Sequence, residues 1–181
     1  LNILYLFHPS SVISQLLKTE IFNNNNIDFE LNVNSLKIKN NSNFKNVNFN
    51  SKIKEGLIDF DNTAFSWKNY ANFKLTDSLV YIKNGELILD SRMQINFKNL
   101  NKIYKFLLTP KKYRKDFKIL DVNLSYNFDQ KTIKLNDIRV DSKFNQNINK
   151  IISDVNLKDN KLQNKIYLKK ILNEAIRAYS G

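Results

Sequence analysis

The sequence has no cysteine, three glycines, two prolines and one histidine in 181 residues. Without cysteine there can be no disulfide, no thiolate metal ligand and no cysteine nucleophile. That absence leaves the cellular compartment open. Three glycines leave no room for a glycine-rich phosphate loop or a Gly-x-Ser-x-Gly elbow, and neither occurs. The shortage of Gly and Pro also leaves no flexible or stiff linker to separate a pair of domains. No run of 18 or more apolar residues is present, so no stretch reads as a membrane-spanning helix. The one histidine, His8, has no marked partners for a triad or a zinc site and reads as structural or exposed. Acidic residues are in the minority, 17 against 29 Lys+Arg, for a net charge of +12. Four of those cations are Arg (Arg92, Arg114, Arg139, Arg177). Base readout and bidentate phosphate clamps favour Arg. A dispersed, lysine-dominated charge reads instead as solubility with a weak attraction to anionic lipid.

What remains is a globular composition. The hydrophobic share is 42%, and the length suits one domain, 1–181, with a real core. Asparagine supplies 30 of the 181 residues. The asparagines are spread through alternating strands, which argues against an aggregating Asn-rich tract.

The plan of the chain is clearest from Leu79 to Val140. Asn84-Gly85 is the dipeptide of a two-residue type I′ turn, and it pairs Leu79–Lys83 with Glu86–Asp90. Leu87, Leu89, Met93, Ile95 and Phe97 share one face, with Ser91 as its polar break. Glu86, Asp90, Arg92, Gln94 and Asn96 share the other, with Ile88 as an intruder. Asn99 is a sound N-cap for Leu100–Leu108, whose apolar residues Leu100, Ile103, Tyr104, Leu107 and Leu108 form a helical stripe. Pro110 closes it. Leu120, Val122, Leu124, Tyr126 and Phe128 then alternate without a fault in a strand Ile119–Phe128. The return strand Thr132–Val140 slips phase at Asn136-Asp137.

Upstream the signals are shorter. Leu1–Phe7 is an apolar run too short to span a membrane. Ser10 or Ser11 caps a helix carrying Val12, Ile13, Leu16 and Leu17, and Asn23–Asn26 breaks the chain after it. Ile27, Phe29, Leu31 and Val33 mark a half-buried strand, with a bulge or turn expected at Asn34-Ser35 before Leu36 and Ile38. Further short strands are expected around Phe44–Phe49, Leu57–Phe60, Phe65–Trp67 and Phe73–Leu75. After Val140 the period becomes helical, first at Ile148, Ile151, Ile152 and Val155. It is stronger at Leu168, Ile171, Leu172, Ala175, Ile176 and Tyr179. The expected fold is α+β and sheet-dominated. It is a twisted or curled antiparallel sheet, with amphipathic helices on its apolar face and at the C-terminus.

Three groups invite a chemical reading. Asp59 and Asp61, two apart in a strand, would share a side as an acid–base pair or cation ligands; a solvated face is the blander account. The basic segment Lys111, Lys112, Arg114, Lys115 and Lys118, with Tyr113 and Phe117 interleaved, reads as a solvated loop or as contact with anionic headgroups. Its alternative is a nucleic-acid-binding module. The apolar sheet face is either covered core or a trough for acyl chains.

From Leu75 onward the order of features resembles the C-terminal region of AsmA-like proteins, the TamB-related group. The resemblance rests on the Asn84-Gly85 hairpin, the helix Leu100–Leu108, the basic link and the strand ending Leu124–Asp129. The return strand Ile133–Asp141 completes it. It implies a non-enzymatic envelope protein assisting phospholipid transport or outer-membrane assembly. The implied protein is periplasmic and tethered to the inner membrane by a segment outside this chain, which would be the C-terminal portion of something longer. Acyl chains would lie on Leu87, Leu89, Met93, Ile95, Phe97, Leu120, Val122, Leu124, Tyr126 and Phe128. Phospholipid and envelope membrane proteins are the implied partners, with no cofactor and no metal.

Overall fold

The computed structural model describes residues 8–19, 27–38, 42–156 and 165–180. Leu1–Phe7 and Asn23–Asn26 lie outside the described residues. The chain forms one open antiparallel sheet of nine strands, with 46% strand and 29% helix. The strands are β1 (Ile27–Ile38), β2 (Ser42–Lys54), β3 (Leu57–Asp59), β4 (Ala64–Trp67), β5 (Ala71–Lys83), β6 (Glu86–Phe97), β7 (Ile119–Asn127), β8 (Thr132–Val140) and β9 (Lys143–Phe144). They follow sequence order across the sheet, except that β3 and β4 share the lane between β2 and β5. Among the described residues they are accompanied by the α-helices α1 (Val12–Lys18), α2 (Leu100–Leu107), α3 (Gln146–Asn156) and α4 (Lys165–Ser180), and by a short 3-10 turn, Lys111–Tyr113.

The local signals act where the residues placed them. Asn84 and Gly85 both take positive φ (52° and 77°), as a type I′ turn demands, and Lys83 pairs with Glu86. The Ser11 hydroxyl accepts from the Ser14 N–H, and the Asn99 side chain accepts from the Lys102 N–H, so both helix starts are capped. Leu108, in the left-handed region at φ 61°, ends α2.

The slip at Asn136-Asp137 is a bulge. Asp137 faces Asn123, Leu135 faces Leu124, and Asn136 is the extra residue. A second bulge sits in β5, where Asp77 and Ser78 together oppose Ser91. It explains why the apolar phase moves from Phe73 and Leu75 to Val80 and Ile82. It also resolves the polar break on the apolar face, because the buried Ser78 and Ser91 hydroxyls hydrogen-bond at 2.6 Å.

Two expectations are corrected. β1 runs unbroken past Asn34-Ser35 with its register to β2 unchanged; the irregularity lies in the partner, where Asn46 has φ 50° and the β2–β4 register shifts. The strand after Gly56 ends at Asp59, so Asp61 sits in a turn and shares no strand face with it.

Register carries the apolar positions across the sheet on one side. Ile58 faces Val80, Val80 faces Leu89, Leu89 faces Tyr126, and Tyr126 faces Ile133. Two cores form on that side. In one, Leu17 of α1 packs with Phe49, Ile58, Phe60, Val80, Leu87 and Phe128. In the other, Ile148 and Ile152 of α3 pack with Val122, Ile138 and Val140, and Ala175 and Tyr179 of α4 lie against them. Burial of such side chains contributes about 1.5–3 kcal/mol each. The opposite side is a ladder of polar pairs: Tyr81–Asp90, Gln94–Asp121, Asn123–Asp137 and Asn127–Glu86. Asn123 and Asn127 serve there as short side chains that can both donate and accept.

Candidate functional site

Among the described residues the apolar side is not uniformly covered. Phe44 on β2, Phe65 on β4, Phe73 and Leu75 on β5, and Met93 on β6 are half-buried and belong to neither core. Register puts them in one continuous band, since Phe65 faces Phe73, Phe73 faces Ile95, and Leu75 faces Met93. Phe65 and Phe73 stack with centroids 4.8 Å apart, and Phe44 meets Phe65 edge-on at 5.3 Å. This aromatic band runs between the α1 core and the α3–α4 core.

One end of the band is built differently. Phe44 pairs with Trp67, and the Trp67 ring meets Tyr70 at 5.3 Å and Phe106 of α2 at 5.0 Å, both edge-on. Lys169 of α4 reaches across to this point. Its Nζ lies 4.1 Å from the Phe106 ring and donates to the Phe106 carbonyl at 2.7 Å. Lys68 lies 5.4 Å over Tyr70. An apolar strip therefore ends in a rim of aromatic rings and lysines, a pairing suited to amphiphiles with an anionic head.

The ten residues expected to line a trough divide. Leu87, Leu89, Tyr126 and Phe128 belong to the α1 core. Ile95, Leu120, Val122 and Leu124 belong to the α3–α4 core. Phe97 packs edge-on against Phe117 at 5.1 Å. Met93 is the member that lies in the band. Sequence reasoning found Phe44, Phe65, Phe73 and Leu75 as strand residues but not as one surface. They come from three different strands, and the pairing that joins them is non-local.

The basic segment is partly structural. Arg114 donates from Nε and Nη2 to the Thr109 carbonyl at 3.0 and 2.8 Å and lies over the Tyr104 ring. The Tyr104 hydroxyl donates to the Lys115 carbonyl, and burial pushes its pKa up to about 12. Lys111, Lys112, Lys115 and Lys118 are exposed at the surface. The interleaved rings are already engaged. Lys112 and Arg177 lie over Tyr113, and Phe117 contacts Phe97 and Tyr179.

The aspartate pair is also structural. Asp59 accepts from the Asp61 N–H at 2.6 Å, and Asp61 accepts from the Ser78 N–H at 2.8 Å, so the two fix a turn and the β5 bulge. His8 holds a local hydrogen bond to Ser10 at 2.7 Å. On the polar side, a cavity of about 390 Å³ opens beside the two bulges, lined by Asp77, Asp90, Arg92, Asn123 and Asn136. Asp90 there accepts from the Tyr81 hydroxyl at 2.5 Å; that bond, with burial, raises the Tyr81 pKa to about 12. Among the described residues no group of three or more His, Asp or Glu side chains is placed to hold a metal.

Comparison with protein-family models, with curated proteins and with solved structures finds no match. The likeness to AsmA-type proteins therefore stands on the residue pattern alone.

Proposed function

We propose that this chain is a non-enzymatic, AsmA-like periplasmic domain that holds phospholipid acyl chains against its apolar sheet face, in lipid transport or outer-membrane assembly. The observation that carries this reading is the half-buried band Phe44–Phe65–Phe73–Leu75–Met93, left outside both cores and ending at the Trp67–Phe106–Lys169 rim. Acyl chains need a dry, featureless surface, and the band supplies one without a hydrogen-bonding side chain. The rim supplies cations for a phosphate.

The test is lipid extraction from the purified protein followed by mass spectrometry, compared with Leu75→Trp. That variant keeps the face apolar and fills the band, whereas a charge at the buried Val122 would report on folding instead. Phospholipid is expected with the parent protein and a several-fold loss with the variant. Equal lipid in both, or none in either, removes the proposal.

A further inference from the structure

The corner where α2, the basic link and α4 meet joins exposed apolar side chains to dense positive charge. Leu108 is 79% exposed, at the very end of α2. Phe106 and Leu172 are 39% and 38% exposed. The corner is firmly built. The Asn173 side chain donates to the Leu107 carbonyl and accepts from the Thr109 hydroxyl, both at 2.6 Å, while Ser180 donates to the Tyr113 carbonyl. Lys169 ties α4 to Phe106. Residues 100–117 and 166–180 hold nine cations (Lys102, Lys105 and Lys169 among them) and two acids, Asp116 and Glu174. This fifth of the chain therefore carries more than half of the net +12.

Charge of one sign around protruding apolar side chains is the pattern of a surface that lies on an anionic bilayer. The lysines meet the headgroups, and the apolar tips enter the acyl boundary. We infer that the α2–α4 corner docks the protein on the surface of an anionic phospholipid membrane. Leu108 and Phe106 insert, and Lys102, Lys105, Lys111, Lys112 and Lys170 contact headgroups. Leu108 is an odd choice for its place if its only task is to end a helix: its φ of 61° suits Gly or Asn, and its side chain is left largely in solvent. Insertion gives that side chain a purpose. The docking goes beyond the acyl-chain reading and stands without it. If both hold, the Trp67–Phe106 contact sets the mouth of the band at the membrane.

Co-sedimentation with phosphatidylcholine vesicles, with and without phosphatidylglycerol, tests the inference. The parent protein is expected to sediment with the anionic vesicles alone and to be released by salt. Leu108→Asn suits the left-handed cap, so it preserves the fold. It is expected to weaken partition about tenfold through the lost apolar surface. Lys102→Glu with Lys105→Glu, both exposed, is expected to weaken it further and flatten the salt dependence. Leu75→Trp is expected to bind like the parent, which separates docking from acyl-chain capture. Parent binding that is absent or indifferent to phosphatidylglycerol overturns the inference. So does undiminished binding by Leu108→Asn.

Discussion

The two helical covers of the apolar face are held in different ways. At one end, among the described side chains, α1 reaches the sheet through the buried Leu17 and through an ion pair, Lys18 Nζ to Asp129 at 2.6 Å. At the other end α3 and α4 form a layer. Ile148, Ile152 and Ile171 are buried, and Ala175 and Tyr179 pack beside them. Asn149 of α3 fastens that layer to the sheet, accepting from the Ile138 N–H and donating to the Ile138 carbonyl, both at 2.9 Å. It stands in for a neighbouring strand where β9 is too short to serve. Among the described side chains, the first cover is held at fewer points than the second. The aromatic band lies between them: along β6, Leu87 and Leu89 belong to the first core, Met93 to the band and Ile95 to the second core.

The largest effect should come from the layered cover. Ile152 is 2% exposed, so Ile152→Ala leaves a cavity as well as losing transfer energy, and we expect a loss of about 3 kcal/mol in denaturant unfolding. Leu75→Ala, on the half-buried band, should cost much less, about 1 kcal/mol, because little packing closes over that side chain. Equal costs for the two would mean that the band is ordinary core, and the contrast between covered and open regions would fall.

How far these differences can be read from residues alone depends on their range in sequence. The Asn84-Gly85 hairpin, the Asn99 cap and the Asn136 bulge are local, and each shows in a few adjacent residues. The β5 bulge has a signal too, the change of parity between Leu75 and Val80, but Asp77 and Ser78 look like ordinary polar positions and do not mark it. The division of the apolar face into two cores and a band is not legible. Leu17 meets Leu87 and Phe128, and Phe44 meets Phe73, across long stretches of chain. Alternation says which side of a strand is apolar, not which helix returns to cover it. For the same reason eight of the ten residues expected to line a trough lie in the two cores.

Acid should separate the two covers. Burial raises the pKa of Asp129, but hydrogen bonds from Lys18 and from the Leu87 N–H, with the charge of Lys18, outweigh it and hold the carboxyl below its usual value. A carboxylate with a lowered folded pKa contributes stability above its ordinary pKa, and that contribution is lost as pH falls through the folded value. Asp129→Ala is therefore expected to cost about 1.5 kcal/mol at neutral pH and clearly less in strong acid, where the ion pair is gone and only the bond from the Leu87 N–H remains to be lost. Hydrogen exchange should show α1 amides opening first on acidification, with α3 amides unchanged. If α3 opens together with α1, the ion pair is not the point that holds the first cover.

The smallest effect would come from the hairpin that both covers share. Gly85 has φ +77°, and a Cβ there meets nothing within 4 Å. Gly85→Ala therefore costs only the strain of the left-handed backbone, about 1 kcal/mol. β5 and β6 carry Val80 and Leu87 into the α1 core and Ile95 into the other. Strain at their turn thus lowers the stability of the whole sheet without touching either cover. Amides that exchange only when the sheet unfolds should speed up by about fivefold, the factor for that energy. Amides that exchange by local release should not change. The layered α3 belongs to the first class and α1, held at fewer points, to the second. Unequal acceleration across the two helices is thus the expected result, and equal acceleration would show that α1 is as firmly built into the fold as the layer opposite.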